Sequence, residues 1–298
     1  MRLFLGLSLG VLAAVAAFMP AVADPAAPVP ALSGDWARDF FFFEPKPGSP
    51  APVQAKFPRP DGTLIDDPLI ADDSNPILTP RAAAALRNRV ALAKEGLALD
   101  PHNQCRVEPT PFTLLVQLGL RIVQSKNEVV LITLSDHQAR HVKMNVPHPA
   151  HVVPSWHGDS IGRYEGNSLV VDTIGQKVGP LSVIDFYGTP FTDKLHVIER
   201  YRLISGTAAR DALQQQDARY FPRGTSNPRG NFDSDLSKPG LQIEVTVEDP
   251  AIFTTPMTGL ITYRPMGSDW AEIACAENPR EYFDNRDAPA PRAETPDF

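Results

Sequence analysis

PHPAHVVPSWHGDSIGRYEGNSLVVDT, Pro147–Thr173, decides how this chain folds. Gly166-Asn167 is a two-residue hairpin turn signal. It sets Glu165 opposite Ser168, Tyr164 opposite Leu169, Arg163 opposite Val170 and Ile161 opposite Asp172. Because strand side chains alternate between faces, Tyr164, Leu169 and Val171 share a core-like face, and Gly162 leaves space there. The other face carries Glu165, Arg163 and Asp172, with Asp159 where the strand begins. Arg163 lies diagonally from Asp172, within reach of a long side chain. That pair is either a cross-strand ion pair on a wet face or an arginine held by carboxylates to bind an anionic or carbonyl group. Pro147 to Arg163 reads as a proline-stiffened approach that delivers His157, Asp159 and Arg163 to one region.

Outward from the hairpin the pattern stays β. Glu128–Leu134, Ala139–Asn145, Ser168–Thr173, Leu195–Ile204, Leu241–Glu248, Gly259–Arg264 and Trp270–Ala276 read as strands. Gly, Pro, Asn and Asp turns separate them, with no helices between. The fold class is therefore mainly β, an antiparallel barrel or sandwich, with one N-terminal amphipathic helix and a long inserted loop. Thr79 is the N-cap of that helix and Pro80 its first residue. Leu86, Val90, Ala93 and Leu97 recur at helical spacing, and Gly96 and Pro101 end it. Residues 206–240 are the inserted loop, of the length expected for a lid, a binding loop or a disordered insert. Their beginning, Thr207–Gln216, can form a short helix. Residues 24–76 read as a Pro-rich arm, pinned to the 77–285 globular domain by some of Phe40, Phe41, Phe42 and Phe43. Residues 286–298 read as a flexible tail.

Met1-Arg2, the apolar run Leu3–Phe18 and the A-x-A signature Ala21-Val22-Ala23 predict a signal peptide, residues 1–23. No later stretch is long and apolar enough to span a bilayer, so the expected product is periplasmic or secreted. The net charge of −7 and the lack of a clustered basic face argue against nucleic acid as a partner. In an oxidising compartment Cys105 and Cys275 are expected to pair. Closing so long a loop contributes roughly 4–5 kcal/mol in the chain-entropy model.

Six of the seven histidines follow residue 136. His137 and His141 are four apart on a strand, roughly 13 Å, too far for one metal ion. His148 and His151 sit on a loop able to fold around an ion, but no established zinc spacing appears and no metal is expected. No glycine-rich phosphate loop points to a nucleotide cofactor. A histidine is the natural acid or base near neutral pH. The expected catalytic set is His157, Asp159, Arg163 and His196. Trp156, Tyr164 and Arg200 are the substrate-binding set. His196 shares a strand face with Ile198 and Arg200, opposite Glu199. The reading is an exported enzyme acting on a small molecule by cofactor-independent acid/base chemistry, of lyase, isomerase, cyclase or hydrolase type. The competing reading is a carrier that holds an apolar ligand in a β-barrel. Gly158-Asp159-Ser160 with Asp193 and His196 imitates the GDS and D-x-x-H blocks of GDSL hydrolases. Here they crowd into a β-rich region without the glycine and asparagine blocks, and the triad is discounted.

WHGDSIGRYEGNSLVVDTIG, DFYGTPFTDKLHVIERYRL, VTVEDPAIFTTP and CAENPREY, in that order, resemble a family of uncharacterised exported bacterial proteins. Its pattern is W-x-G-D-S-I-G-x-W-E-G-D-T-L-V-V-D-T, then L-H-V-x-E-R-Y, E-D-P and C-x-E-N. The resemblance spans Cys105 to Tyr282 and rests on Trp156, Asp159, Ser160, Arg163, Glu165, Asp172, His196, Glu199 and Arg200. It implies export and a shared fold, and no reaction. Tyr164 stands where the family has tryptophan, and residues 206–240 enlarge the loop before E-D-P.

Overall fold

A computed structural model describes residues 29–55, 70–95, 100–116, 119–220, 231–270 and 273–275. The signal-peptide and tail expectations fall outside these residues. The elements in chain order are β1 Gly34–Ala37, β2 Glu44–Pro45, α1 Pro80–Lys94, β3 Leu120–Gln124, β4 Glu128–Thr133, β5 Ala139–Met144, β6 Asp159–Glu165, β7 Ser168–Ile174, β8 His196–Ile204, α2 Gly206–Tyr220, β9 Gly240–Glu248 and β10 Met257–Pro265. Strands β3 to β10 pair in sequence order, and β1 pairs with both β3 and β10. The sheet thus closes into a nine-strand barrel, with β2 added on β10.

The Gly166-Asn167 hairpin forms with the expected register. Glu165 faces Ser168, Tyr164 faces Leu169, Arg163 faces Val170 and Ile161 faces Asp172. Gly162 leaves space inside the barrel: a Cβ there would lie 2.8 Å from both Met144 Sδ and Val142 Cγ1. One pairing departs from the antiparallel expectation. β5 and β6 are parallel, Val142 opposite Ser160 and Met144 opposite Gly162. Parallel neighbours need a crossover that carries the chain back along the strand. Residues 145–158, stiffened by Pro147, Pro149 and Pro154, are that crossover. The barrel is consequently mixed.

The interior is a packed core. Val129, Leu131, Val142, Leu169, Val171, Val197, Ile243, Val245, Val247 and Ile261 are all buried. They alternate with outward residues along their strands, as a small barrel filled by its own side chains requires. Phe40, Phe42 and Phe43 of the 40–43 run are buried, as is Arg38. Arg38 donates to Glu44 Oε1 at 2.8 Å, to the Phe40 carbonyl at 2.9 Å and to the Thr262 carbonyl at 3.0 Å. Glu44 in turn accepts from the Thr262 amide at 2.8 Å and its hydroxyl at 2.6 Å. The expected arm is therefore partly a barrel stave, because β1 fills the gap between β3 and β10.

Thr79 caps α1, its hydroxyl accepting from the Ala82 amide at 3.3 Å. The buried face of α1 is Ala82 and Leu86. Leu97 lies outside the described residues. Within the expected inserted loop, residues 221–230 lie outside the described residues, and the residues before them are helical. The helix extends over Gly206–Tyr220, capped by Ser205 Oγ accepting from the Ala208 amide at 3.1 Å. Ala209, Leu213 and Gln216 are buried and form one helical stripe. Of the expected Trp270–Ala276 strand, the described residues show an isolated bridge from Ile273 to Ser135. Cys105 and Cys275 are disulfide-bonded, with Cα atoms 5.4 Å apart and a sequence separation of 170. No described helix is long and apolar enough to cross a membrane.

Candidate functional site

The crossover explains how the main polar cluster assembles. Its backbone runs outside the barrel and lays His148 over the starting end of β6. His148 Nδ1 lies 2.7 Å from Asp159 Oδ1, and its Nε2 lies 3.1 Å from Asp172 Oδ1. On β8, His196 Nε2 lies 2.9 Å from the same Asp172 Oδ1, and its Nδ1 lies 3.2 Å from Glu248 Oε2. Lys143 donates to the other Asp159 oxygen. The result is a continuous chain, Lys143–Asp159–His148–Asp172–His196–Glu248, crossing β5 to β9 on the outer face. Side-chain exposures of 18 % for His148, 26 % for Asp172 and 31 % for His196 leave it open to a small molecule.

A neutral imidazole has one N–H to donate. Both rings here face carboxylates on both nitrogens, so each satisfies both partners when doubly protonated. Burial pushes the Asp159 carboxyl up, but hydrogen bonds and charge from Lys143 and His148 outweigh it and hold it below the usual aspartate range.

The four expected catalytic residues do not form one cluster. Asp159 and His196 share the chain above, linked through His148 and Asp172. Arg163 does not reach Asp172. It binds Glu165, two residues along the same strand, with Nε at 2.7 Å, and Glu165 also accepts from Arg200 at 2.8 Å. Hydrogen bonds from Arg200 and Arg163 hold the Glu165 carboxyl low. Arg163 and Arg200 are thus occupied in an exposed ion-pair network of their own.

His157 turns the other way, against the barrel core. Burial, with the Arg140 guanidinium beside it, lowers its pKa to about 4. Arg140 and Glu199 point inward from β5 and β8 and form a solvent-excluded ion pair. Arg140 also donates to Thr110 Oγ1 at 2.8 Å and to Tyr201 Oη at 3.4 Å. Buried charges persist when paired and hydrogen-bonded in this way. The void between Arg140, His157, Thr113 and Leu131 measures about 10 Å³, too small for a ligand. Ser160 is equally internal, with its hydroxyl 2.9 Å from Thr173 Oγ1, whereas His196 faces outward. The two belong to opposite faces of the barrel wall, and no serine triad forms.

Trp156 and Tyr164 sit at opposite ends of β6 and share no pocket. Tyr164 Oη accepts from Gln124 Nε2 at 2.8 Å. Trp156 lines a cleft of about 390 Å³ with Pro101, Arg106, Val107, Pro180 and Leu181. Among the described residues, no group of three or more His, Cys, Asp or Glu side chains has the geometry of a metal site.

His148, Asp172, Glu248 and Lys143 complete the cluster beyond the residues expected from sequence. The available signal is period-two facing: Asp172, His196 and Glu248 all lie on outward positions of their strands. Asp249, after β9, is buried and accepts from the Thr192 amide at 2.6 Å and the Thr192 hydroxyl at 3.0 Å. It ties the β7–β8 and β9–β10 loops together at the same end of the barrel. Compared with family models, curated proteins and solved structures, the chain matches none.

Proposed function

We propose that the protein is an exported enzyme that transfers a proton on a small organic substrate at His196. The observation that carries this reading is the sharing of Asp172 Oδ1 by His148 and His196, at 3.1 and 2.9 Å. Asp172 orients the His196 ring through Nε2, as a carboxylate orients a catalytic imidazole. The opposite nitrogen, Nδ1, meets the longest bond of the chain, 3.2 Å to Glu248. Glu248 is also its most exposed carboxylate, at 44 %. A substrate that displaces Glu248 gains a ring nitrogen able to donate or accept a proton. His148, Asp159 and Lys143 form the second half of the chain. The chemistry fits elimination, isomerisation, cyclisation or hydrolysis, and calls on no cofactor. Export rests on the N-terminal A-x-A signature and agrees with the Cys105–Cys275 disulfide.

Incubation of the purified protein with a small-molecule extract, followed by mass spectrometry, tests the reading. At least one compound is expected to be consumed by the wild type. His196→Gln is expected to slow that consumption by roughly 10²–10⁴-fold, and Asp172→Asn to slow it less. Near-UV circular dichroism establishes that each variant is folded. An extract untouched by the wild type, or folded variants that act at the wild-type rate, would overturn the proposal.

A further inference from the structure

The Trp156 cleft shares no lining residue with the His196 chain. Residues 100–107, the end of the crossover and the β7–β8 loop each supply a wall. Its volume of about 390 Å³ is that of a small-molecule site. The walls are apolar and stiff: Pro101, Val107, Trp156, Pro180 and Leu181. Their backbones are held in place. Ser155 pairs with the segment after β7, accepting from the Lys177 amide at 2.8 Å and donating its own amide to the Gly175 carbonyl at 3.2 Å. Asp100 and Asn103 exchange reciprocal backbone–side-chain bonds at 2.9 and 2.8 Å. The Arg106 amide returns to the Pro101 carbonyl at 2.9 Å, and the disulfide at Cys105 anchors the same turn.

One cation lines this apolar space, and a second stands over its tryptophan ring. Arg106 lines the cleft, and Lys177 Nζ lies 5.0 Å from the centre of the Trp156 ring. Among the described residues neither forms a salt bridge, whereas Arg89, Arg140 and Lys143 are each paired with a carboxylate. In a chain of net charge −7, cations without a carboxylate partner beside an open apolar wall favour an anionic ligand. A flat ring gains most from the Trp156 face and the proline walls, and a planar carboxylate matches the guanidinium fork.

We propose that this cleft binds a small aromatic carboxylate, its ring against Trp156 and its carboxylate between Arg106 and Lys177. The inference does not depend on the acid/base reading of His196.

Isothermal titration calorimetry of the full protein with 1-naphthaleneacetate, and with the uncharged 1-naphthaleneethanol, tests it. Saturable binding of the carboxylate is expected, roughly tenfold tighter than the alcohol. Arg106→Ala and Lys177→Ala should each weaken it several-fold, and Trp156→Leu should abolish it. Asp172→Asn should leave it unchanged, which separates this site from the His196 chain. Arg106 and Lys177 are both exposed at the surface and can be replaced without disturbing the core. No saturable binding to the folded wild type, equal affinity for the alcohol, or full affinity in both cation variants would overturn the proposal.

Discussion

Asp172 is the residue on which the site turns, and its role is only partly legible in the sequence. Its outward facing follows from hairpin register, and so does its distance from the core. Its partners do not follow, because they come from β8 and from the crossover, whose placement depends on pairing partners distant in sequence. Arg163 binds Glu165 in place of the expected Asp172, because Glu165 is nearer and on the same strand face. His157 lies apart from the chain for a different reason. Its backbone turns inward beside Arg140, where burial favours the neutral ring. This has a pH signature. The lowered pKa of about 4 means that the stability tied to neutral His157 is present above pH 6.5 and is lost as pH falls toward 4. Fully buried Asp185 acts with the opposite sign. Burial, against hydrogen bonds from Thr189, raises its carboxyl from 3.8 to about 6. Its contribution is therefore present below 3.8 and lost as pH rises through 6. Each amounts to about 3 kcal/mol at full extent, so the two oppose each other between pH 4 and 6. Denaturant unfolding across that window should show Asp185→Asn losing stability more steeply than wild type on acidification. His157→Gln should lose less than wild type. Parallel curves for all three proteins would refute both assignments.

At the scale of elements, the strands with β-rich sequence or a clear turn are legible: β4 through β10 lie within a few residues of the expected spans. The parallel pairing of β5 with β6 departs from expectation, and of the expected Trp270–Ala276 strand the described residues show only the Ile273 bridge. The hairpin β6–β7 is set by Gly166-Asn167. β1, β2 and β3 are not legible, because strands of four, two and five residues carry little periodicity. The helix α2 is longer than its sequence suggests, since its stripe Ala209, Leu213 and Gln216 is weakly apolar and gains its stability from packing on β9 and β10. Gly240 permits that packing, for a Cβ there would lie 2.3 Å from Ala209 Cβ. Gly162 is the sharper test of the parallel pairing. Gly162→Val should destabilise the protein by roughly 1–3 kcal/mol through overpacking against Val142 and Met144. Chemical denaturation measures this, and an unchanged midpoint would mean that β5 does not lie beside β6 as described.

For the whole molecule, closure is the governing property. A barrel has no free edge only while every stave is present, and β1 is the stave joining β3 to β10. Deleting residues 1–45 should leave one edge each of β3 and β10 unpaired and convert a cooperative thermal transition into aggregation. A truncated protein that unfolds cooperatively near the wild-type temperature would contradict the role of β1. The disulfide closes a long loop, and a separation of 170 corresponds to about 5 kcal/mol in the chain-entropy model. Replacing both cysteines by serine should lower stability by roughly 2–5 kcal/mol, read by denaturation. On the outer wall, the chain from Lys143 to Glu248 crosses five staves, and its centre is the oxygen shared by two histidines. Ring-nitrogen NMR of ¹⁵N-histidine-labelled protein tests that centre directly. In Asp172→Asn the resonances of His148 and His196 should both move, while those of His141, bound to Glu128 at 2.8 Å, and of exposed His151 stay in place. Movement of one ring alone, or of neither, would contradict the shared carboxylate and with it the proposed site.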